Sequence, residues 1–146
     1  MSIWHGAPNR DDSQRMAKNT IHDALGIEII EVGNDFIRGK MPVDQRTVQP
    51  YGILHGGASV VLAESLGSIG SHFVIDSEKY VTVGLDINAN HLRPVRSGFV
   101  YGKATPIHLG RKNHVWDIEI TSDRDKLVCK ARLTIAVIKK TDLGGR

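Results

Sequence analysis

The spacing of apolar residues switches between a helical and a strand period along the chain. Ser13 to Leu25 carries helical spacing and is closed by Gly26, the residue type that most often ends a helix in the left-handed conformation. Ile27, Ile29 and Ile30 open a strand that runs to the turn signal Gly33-Asn34-Asp35,. A second strand covers Phe36 to Val43. Pro42 marks its edge or its end, because proline has no N–H to give a ladder,. Asp44 to Leu54, broken by Pro50 and Gly52, reads as loop,.

The segment His55 to Ile75 predicts a helix of about five turns,. Leu54, Ala58, Val61, Leu62, Ser65, Leu66, Ile69 and Phe73 share one broad face, while Gly57, Ser59, Gly67, Ser68, Gly70 and Ser71 are all small. Each interior glycine costs a helix about 1 kcal/mol relative to alanine, so the helix is expected to gain close approach to other backbone in return. A helix uncharged nearly all round is a buried one. Four strands are expected after it. They are Tyr80 to His91, Phe99 to His108 after the turn Ser97-Gly98, the alternation Trp116, Ile118, Ile120, and the run Leu127, Cys129, Ala131, Leu133, Ile135, Val137,. Asp123-Arg124-Asp125 predicts a hairpin between the last two. One long buried helix among antiparallel strands implies an α+β fold, a curved sheet wrapped around the helix, in a single domain over residues 1–146,. A second subunit is expected to cover what the sheet leaves open.

Composition narrows this picture. With aromatics at 5% of 146 residues, the core must be built from Ile, Val, Leu and Ala. The net charge of +3 is carried by alternating signs, as in Ser122-Asp123-Arg124-Asp125-Lys126, which gives no reason to expect nucleic acid,. The single Cys129 cannot form an intrachain disulfide and falls in an apolar alternation, so it is read as a small buried hydrophobe,. Residues 1–15 have no apolar core of a secretory leader, and no run is apolar enough to span a bilayer,. A cytoplasmic protein without membrane or nucleic-acid partners is expected. Residues 9–13 and 141–146 read as frayed ends,. His72, His108 and His114 lack metal-ligand spacing, so neither metal nor cofactor is expected,.

Candidate chemistry centres on the helix. Glu64 is the only charged side chain between Arg46 and Asp76. An unpaired carboxylate in apolar surroundings costs several kcal/mol or takes up a proton, so its presence needs a reason. His55-Gly56-Gly57 opens the same helix. Helix starts leave N–H groups unpaired, and glycine lets a ligand or a developing oxyanion approach them. Glu64 lies two turns beyond that start, too far to act on the same carbonyl carbon. A twofold-related antiparallel helix would bring Glu64 of one subunit opposite Gly56 of the other.

The run Gly52-Ile53-Leu54-His55-Gly56-Gly57-Ala58-Ser59-Val60-Val61-Leu62-Ala63-Glu64-Ser65 resembles the helix motif of the PaaI-like, 4-hydroxybenzoyl-CoA type of hotdog thioesterases. Met41-Pro42-Val43-Asp44, Arg46-Thr47, the run Gly84 to Pro94, and Pro106 to Arg111 with the Trp116 strand extend the likeness to about residues 23 to 138. Within that family it is similar to the 1,4-dihydroxy-2-naphthoyl-CoA thioesterases of menaquinone synthesis and to the enterobactin-pathway proofreading thioesterase. The resemblance implies a hotdog fold, hydrolysis of aromatic or medium-chain acyl-CoA, and a homotetramer built as a dimer of dimers with the active site at the dimer interface. It implies that Glu64 is the nucleophile or general base, and that the Gly56 N–H polarises the carbonyl. Gln49 and His55 would lie near that carbonyl, and Ser68 would help to place the carboxylate or a water. His91, Arg93, Gly110 and Arg111 fall in the segments that hold coenzyme A. The alternatives are a non-catalytic acyl-CoA sensor on the same fold and, with thinner support from His55, a dehydratase.

Overall fold

The computed structural model describes residues 1–144. Six antiparallel strands form one curved sheet in the order β1-β2-β4-β5-β6-β3, and a single long helix packs against it. This is the hotdog arrangement expected. The strands are β1 (Glu28–Val32), β2 (Ile37–Pro42), β3 (Tyr80–His91), β4 (Phe99–Leu109), β5 (Asn113–Ser122) and β6 (Leu127–Lys139). The central helix α3 runs over Gly56–Val74, with His55 and Ile75 as its caps, as the sequence pattern predicts. Pro42 ends β2 as expected, opposite Phe99, but β2 is an inner strand held between β1 and β4.

The glycines of α3 are explained by contact with the sheet. A Cβ on Gly67 would lie 2.6 Å from a Leu133 methyl, and one on Gly70 would lie 2.7 Å from the Trp116 ring. Trp116 and Leu133, both fully buried, therefore reach the helix backbone itself. Leu62 and Leu66 fill the remaining depth beside Met41, Val100 and Ile118, all fully buried. Close packing of this kind, rather than helix propensity, holds a glycine-rich helix in place.

Two expectations at the N-terminus are overturned. The helix expected over Ser13 to Leu25 is two helices, α1 (Arg10–Ala17) and α2 (Ile21–Leu25), separated at Asn19, whose φ is 61°. Thr20 restarts the helix by accepting the His22 N–H. The expected stop is present, with Gly26 in the left-handed region at φ 71°. Residues 9–13 are not frayed. Asn9 accepts the N–H groups of Asp11 and Asp12, Asp12 accepts that of Asn9, and Ser13 is fully buried. Such a reciprocal cap supplies acceptors that a bare helix start lacks. At the other end Lys140–Leu143 form a short 3-10 turn, and residues 145–146 of the expected frayed tail lie outside the described residues. Ahead of α1, Trp4 stacks on Trp116 with ring centroids 6.4 Å apart and donates its indole N–H to the Gly33 carbonyl.

Candidate active site

The sheet covers α3 unevenly. Ala58, Leu62, Ala63, Ser65, Leu66 and Ile69 are buried, whereas Val60, Glu64, Ser68 and His72 are only half-buried. Those four residues recur every fourth position and so form a stripe along one side of the helix. The carboxylate of Glu64 leans from this stripe against β3, the outermost strand on its side of the sheet. Neither a hydrogen bond nor an ion pair joins Glu64 to any described side chain.

At the start of α3 the first N–H groups meet different fates. His55 Nδ1 accepts the Gly57 N–H at 2.8 Å, and the His55 carbonyl accepts those of Ala58 and Ser59. With Nδ1 accepting, the ring proton sits on Nε2. The Gly56 N–H has no acceptor among the described residues. Gly56 lines a cleft of about 440 Å³ together with Gln49, Ile53, Ser59, His91 and Arg93. The His91 ring lies directly over Gly56, where a Cβ would come within 2.8 Å of Nε2. Gln49 is held in its loop by accepting the Tyr51 N–H through its side-chain oxygen, which leaves its amide NH₂ free to donate,. Arg93 donates to the Leu127 carbonyl at 2.7 Å and is otherwise exposed.

The structure thus brings Gln49, Gly56, His91 and Arg93 together in one cleft, whereas His55, the cap of α3, is not among the residues that line it. Glu64 and Ser68 lie further along the same helix; Gly56 and Glu64 are eight residues apart, or about 12 Å along the axis at the usual helical rise,. Gly110 and Arg111 do not join them. They sit in the β4–β5 turn, in a separate hollow of about 930 Å³ near the opposite end of α3, beside Val74, Ile75 and His114. The sequence reading missed Ser59, which is buried at the foot of the Gly56 cleft, and Gly84, the residue that Glu64 touches. A glycine inside a strand pattern signals a close approach or a bulge; that was the signal available for Gly84.

Elsewhere, His22 Nδ1 is buried without a hydrogen-bond partner among the described residues, whereas the buried polar groups at the C-terminal end of α3 are paired. Ser71 Oγ accepts the Trp116 indole N–H at 2.8 Å and lies 2.9 Å from His114 Nδ1. Burial, with a smaller contribution from His108, pushes the His114 imidazole below its usual range. Cys129 is buried as expected, and burial pushes its thiol up. No described helix is long and apolar enough to cross a membrane.

Comparison with known proteins places this geometry. Residues 51–129 match the family model described as Thioesterase superfamily. The chain is 44% identical over 136 residues to the 1,4-dihydroxy-2-naphthoyl-CoA hydrolase of Escherichia coli, a match that covers 93% of this chain and 99% of that one. It is similar in structure to a mutant thioesterase from Pseudomonas aeruginosa, with a TM-score of 0.93, 50% identity and coverage of 94% of this chain and 99% of the other. A thioesterase from Haemophilus influenzae gives a TM-score of 0.90 at 49% identity, covering 94% of this chain and 95% of that one. Fold, helix motif and near-full-length likeness agree, and the chain belongs to the thioesterase superfamily as one of its hotdog enzymes.

Proposed function

We propose that the protein hydrolyses acyl-CoA thioesters to free acid and coenzyme A, with Glu64 as the reacting carboxylate and the Gly56 N–H as donor to the thioester oxygen. One observation carries the reading: among the described residues, a helix whose first N–H groups are otherwise capped leaves the Gly56 N–H without an acceptor, and the same helix carries an unpaired carboxylate on its open side. Unsatisfied polar groups cost stability, and both kinds are those that acyl transfer uses. The Gly56 N–H stabilises the oxygen as it becomes an oxyanion. Glu64 attacks the carbonyl carbon itself or takes a proton from a water that does so. Collapse of the tetrahedral species breaks the C–S bond and releases the coenzyme A thiolate, which takes up a proton; where Glu64 is the nucleophile, water then hydrolyses the acyl-Glu64 anhydride to the free acid and restores the carboxylate.

The two groups act on one carbon when two copies meet about a twofold axis. The outer edge of β3 pairs with nothing among the described residues and carries Asp86 as its only charge before His91. A long edge of that kind is a template for another strand. Antiparallel helices then set Glu64 of one copy against Gly56 of the other. They also carry Gly110 and Arg111, at the far end of α3, toward the other copy's Arg93, where guanidinium groups suit phosphate oxygens. Gln49, His55 and His91 orient the thioester around Gly56, and Ser68, one turn beyond Glu64, holds the carboxylate or its water. A dimer of dimers in the cytoplasm is the assembly proposed. 1,4-Dihydroxy-2-naphthoyl-CoA, the thioester in the name of the E. coli relative, heads the substrate panel, followed by benzoyl-CoA and medium-chain acyl-CoA.

The test is release of free thiol from that panel by wild type and by Glu64→Ala, compared as kcat/KM. Turnover by wild type and its loss in the variant are expected. Binding without thiol release would instead identify a sensor, and wild-type rates in Glu64→Ala would remove the carboxylate from the mechanism. A monomeric mass at micromolar concentration would contradict the shared site.

A further inference from the structure

We infer that Gly84 is a positioning residue for Glu64, a gap in β3 kept free of side chain so that the carboxylate can seat against the strand backbone. The inference rests on Glu64 being the reacting group, and extends that reading to how the group is held.

A Cβ on Gly84 would lie 2.5 Å from Glu64 Oε1 and 3.7 Å from Glu64 Cδ, and would meet no other described atom within 4 Å. Gly84 is not among the glycines with positive φ. Backbone conformation therefore does not require glycine here; among the described residues of one copy the conflict is with the carboxylate alone. The glycines of the helix–sheet contact differ, since a Cβ on Gly67 or Gly70 would strike Leu133 or Trp116, both fully buried.

A second observation falls at the same place. The register of β3 against β6 shifts between Gly84, opposite Ile135, and Asp86, opposite Thr134, so that Leu85 is an extra residue. Bulges bend a strand and re-aim what lies beside it, and they recur next to active sites. Here the bulge begins at the residue that Glu64 touches. A glutamate side chain has three rotatable bonds, and Glu64 has no ion pair or side-chain hydrogen bond among the described residues to fix them. The notch at Gly84 restricts it by shape. Reacting atoms need to be placed within a fraction of an ångström, so a methyl group in that notch should act on the rate while leaving the fold alone.

Gly84→Ala is the experiment, with benzoyl-CoA as probe, Glu64→Gln as reference and Thr82→Ala as a control on the same strand. The obstructing atom ends a mobile side chain, so Gly84→Ala should fold with wild-type oligomeric mass and a melting temperature close to wild type. Its kcat should fall by about ten- to a hundredfold with KM nearly unchanged, the pattern of a lost transition-state interaction. Thr82→Ala should change neither. An unchanged kcat, a rise in KM alone, loss of the oligomer or failure to fold would each overturn the inference, since each assigns the glycine to something other than the carboxylate. These outcomes are distinct from failure of the underlying reading, which shows as an inert wild type or an active Glu64→Gln.

Discussion

The two ends of the central helix handle polar groups in opposite ways. Toward its C-terminus, Ser71 lies fully buried between Trp116 and His114 and bonds with both. Toward its N-terminus, Gly56 lines a cleft and its N–H has no acceptor among the described residues, and two turns on Glu64 has no partner side chain among them. Both ends are flanked by glycines and aliphatic residues, so composition alone does not separate them. Satisfaction does. A satisfied buried network specifies packing, whereas polar groups left unmet are costs that persist where a substrate supplies the missing partner. Substitutions at the two ends should therefore be read by different instruments.

The largest effect belongs to the open end. Glu64→Gln keeps the shape of the side chain and removes its charge and basicity. We expect kcat for acyl-CoA hydrolysis to fall by about a thousandfold, within the range for loss of a positioned base. Unfolding by denaturant should shift little, because no described side chain pairs with the carboxylate. Stopped-turnover assays beside urea melts check both halves. A large loss of stability would place Glu64 among the structural groups and erase the contrast.

Ser71→Ala should reverse that pattern. It strands the Trp116 indole N–H and leaves His114 Nδ1 without its neighbour, and both residues are buried. A stability loss of about 1–3 kcal/mol is expected for unsatisfied buried groups, read as a lower denaturant midpoint at constant m-value. The rate per folded molecule should stay near wild type; a tenfold drop would mean that the two ends are coupled.

His55 lies between these cases, since its imidazole caps the Gly57 N–H next to Gly56. Its replacement by alanine should cost about 1 kcal/mol in stability, as for other lost N-caps. It should also loosen the geometry around Gly56, so that kcat/KM falls in the same variant. An effect on stability alone would assign the ring to the helix and not to the substrate.

The difference between the two ends also explains what could be read before any coordinates. Period and breakers located α3 and the four strands after it closely, because the uncharged run from Thr47 to Ile75 interrupted by one Glu, and the alternation from Leu127 to Val137, permit few other readings. Glu64 and Gly56 were legible because an odd charge and a glycine pair stand out along a sequence. Gly84 was not singled out, since its meaning lies in what it faces across space. Ser71, one more small residue on the helix, gave no sign of the indole and imidazole it joins from β5. The break at Asn19 was missed because a single left-handed residue interrupts a helical pattern without glycine or proline to announce it. The split between the Gly56 cleft and the Arg111 hollow follows from the length of α3, which carries the two clusters to opposite ends.

The smallest effect expected is a pH dependence to which the closed end contributes. Burial holds the His114 imidazole below its ordinary value, with the charge of His108 acting in the same direction. The unfolded chain takes up that proton near pH 6.5, the native chain only at lower pH. Stability contributed by the neutral ring is thus fully present above about pH 6.5 and is lost as pH falls from there through the native value. His22 is also lowered by burial, partly offset by Asp23, and adds to the same window. Asp44 and Asp76 are both lowered, chiefly by hydrogen bonds from Arg46 and Lys79 respectively, so their contributions are lost only in stronger acid. Melting temperatures at about pH 7.5 and about pH 5.5 isolate the histidine contribution. His114→Gln keeps an acceptor for the Ser71 hydroxyl but cannot titrate, and it should show a smaller fall between those two conditions than wild type. An equal fall in both proteins would mean that the ring carries no stability penalty on protonation, and that the closed end is less dry than its burial implies.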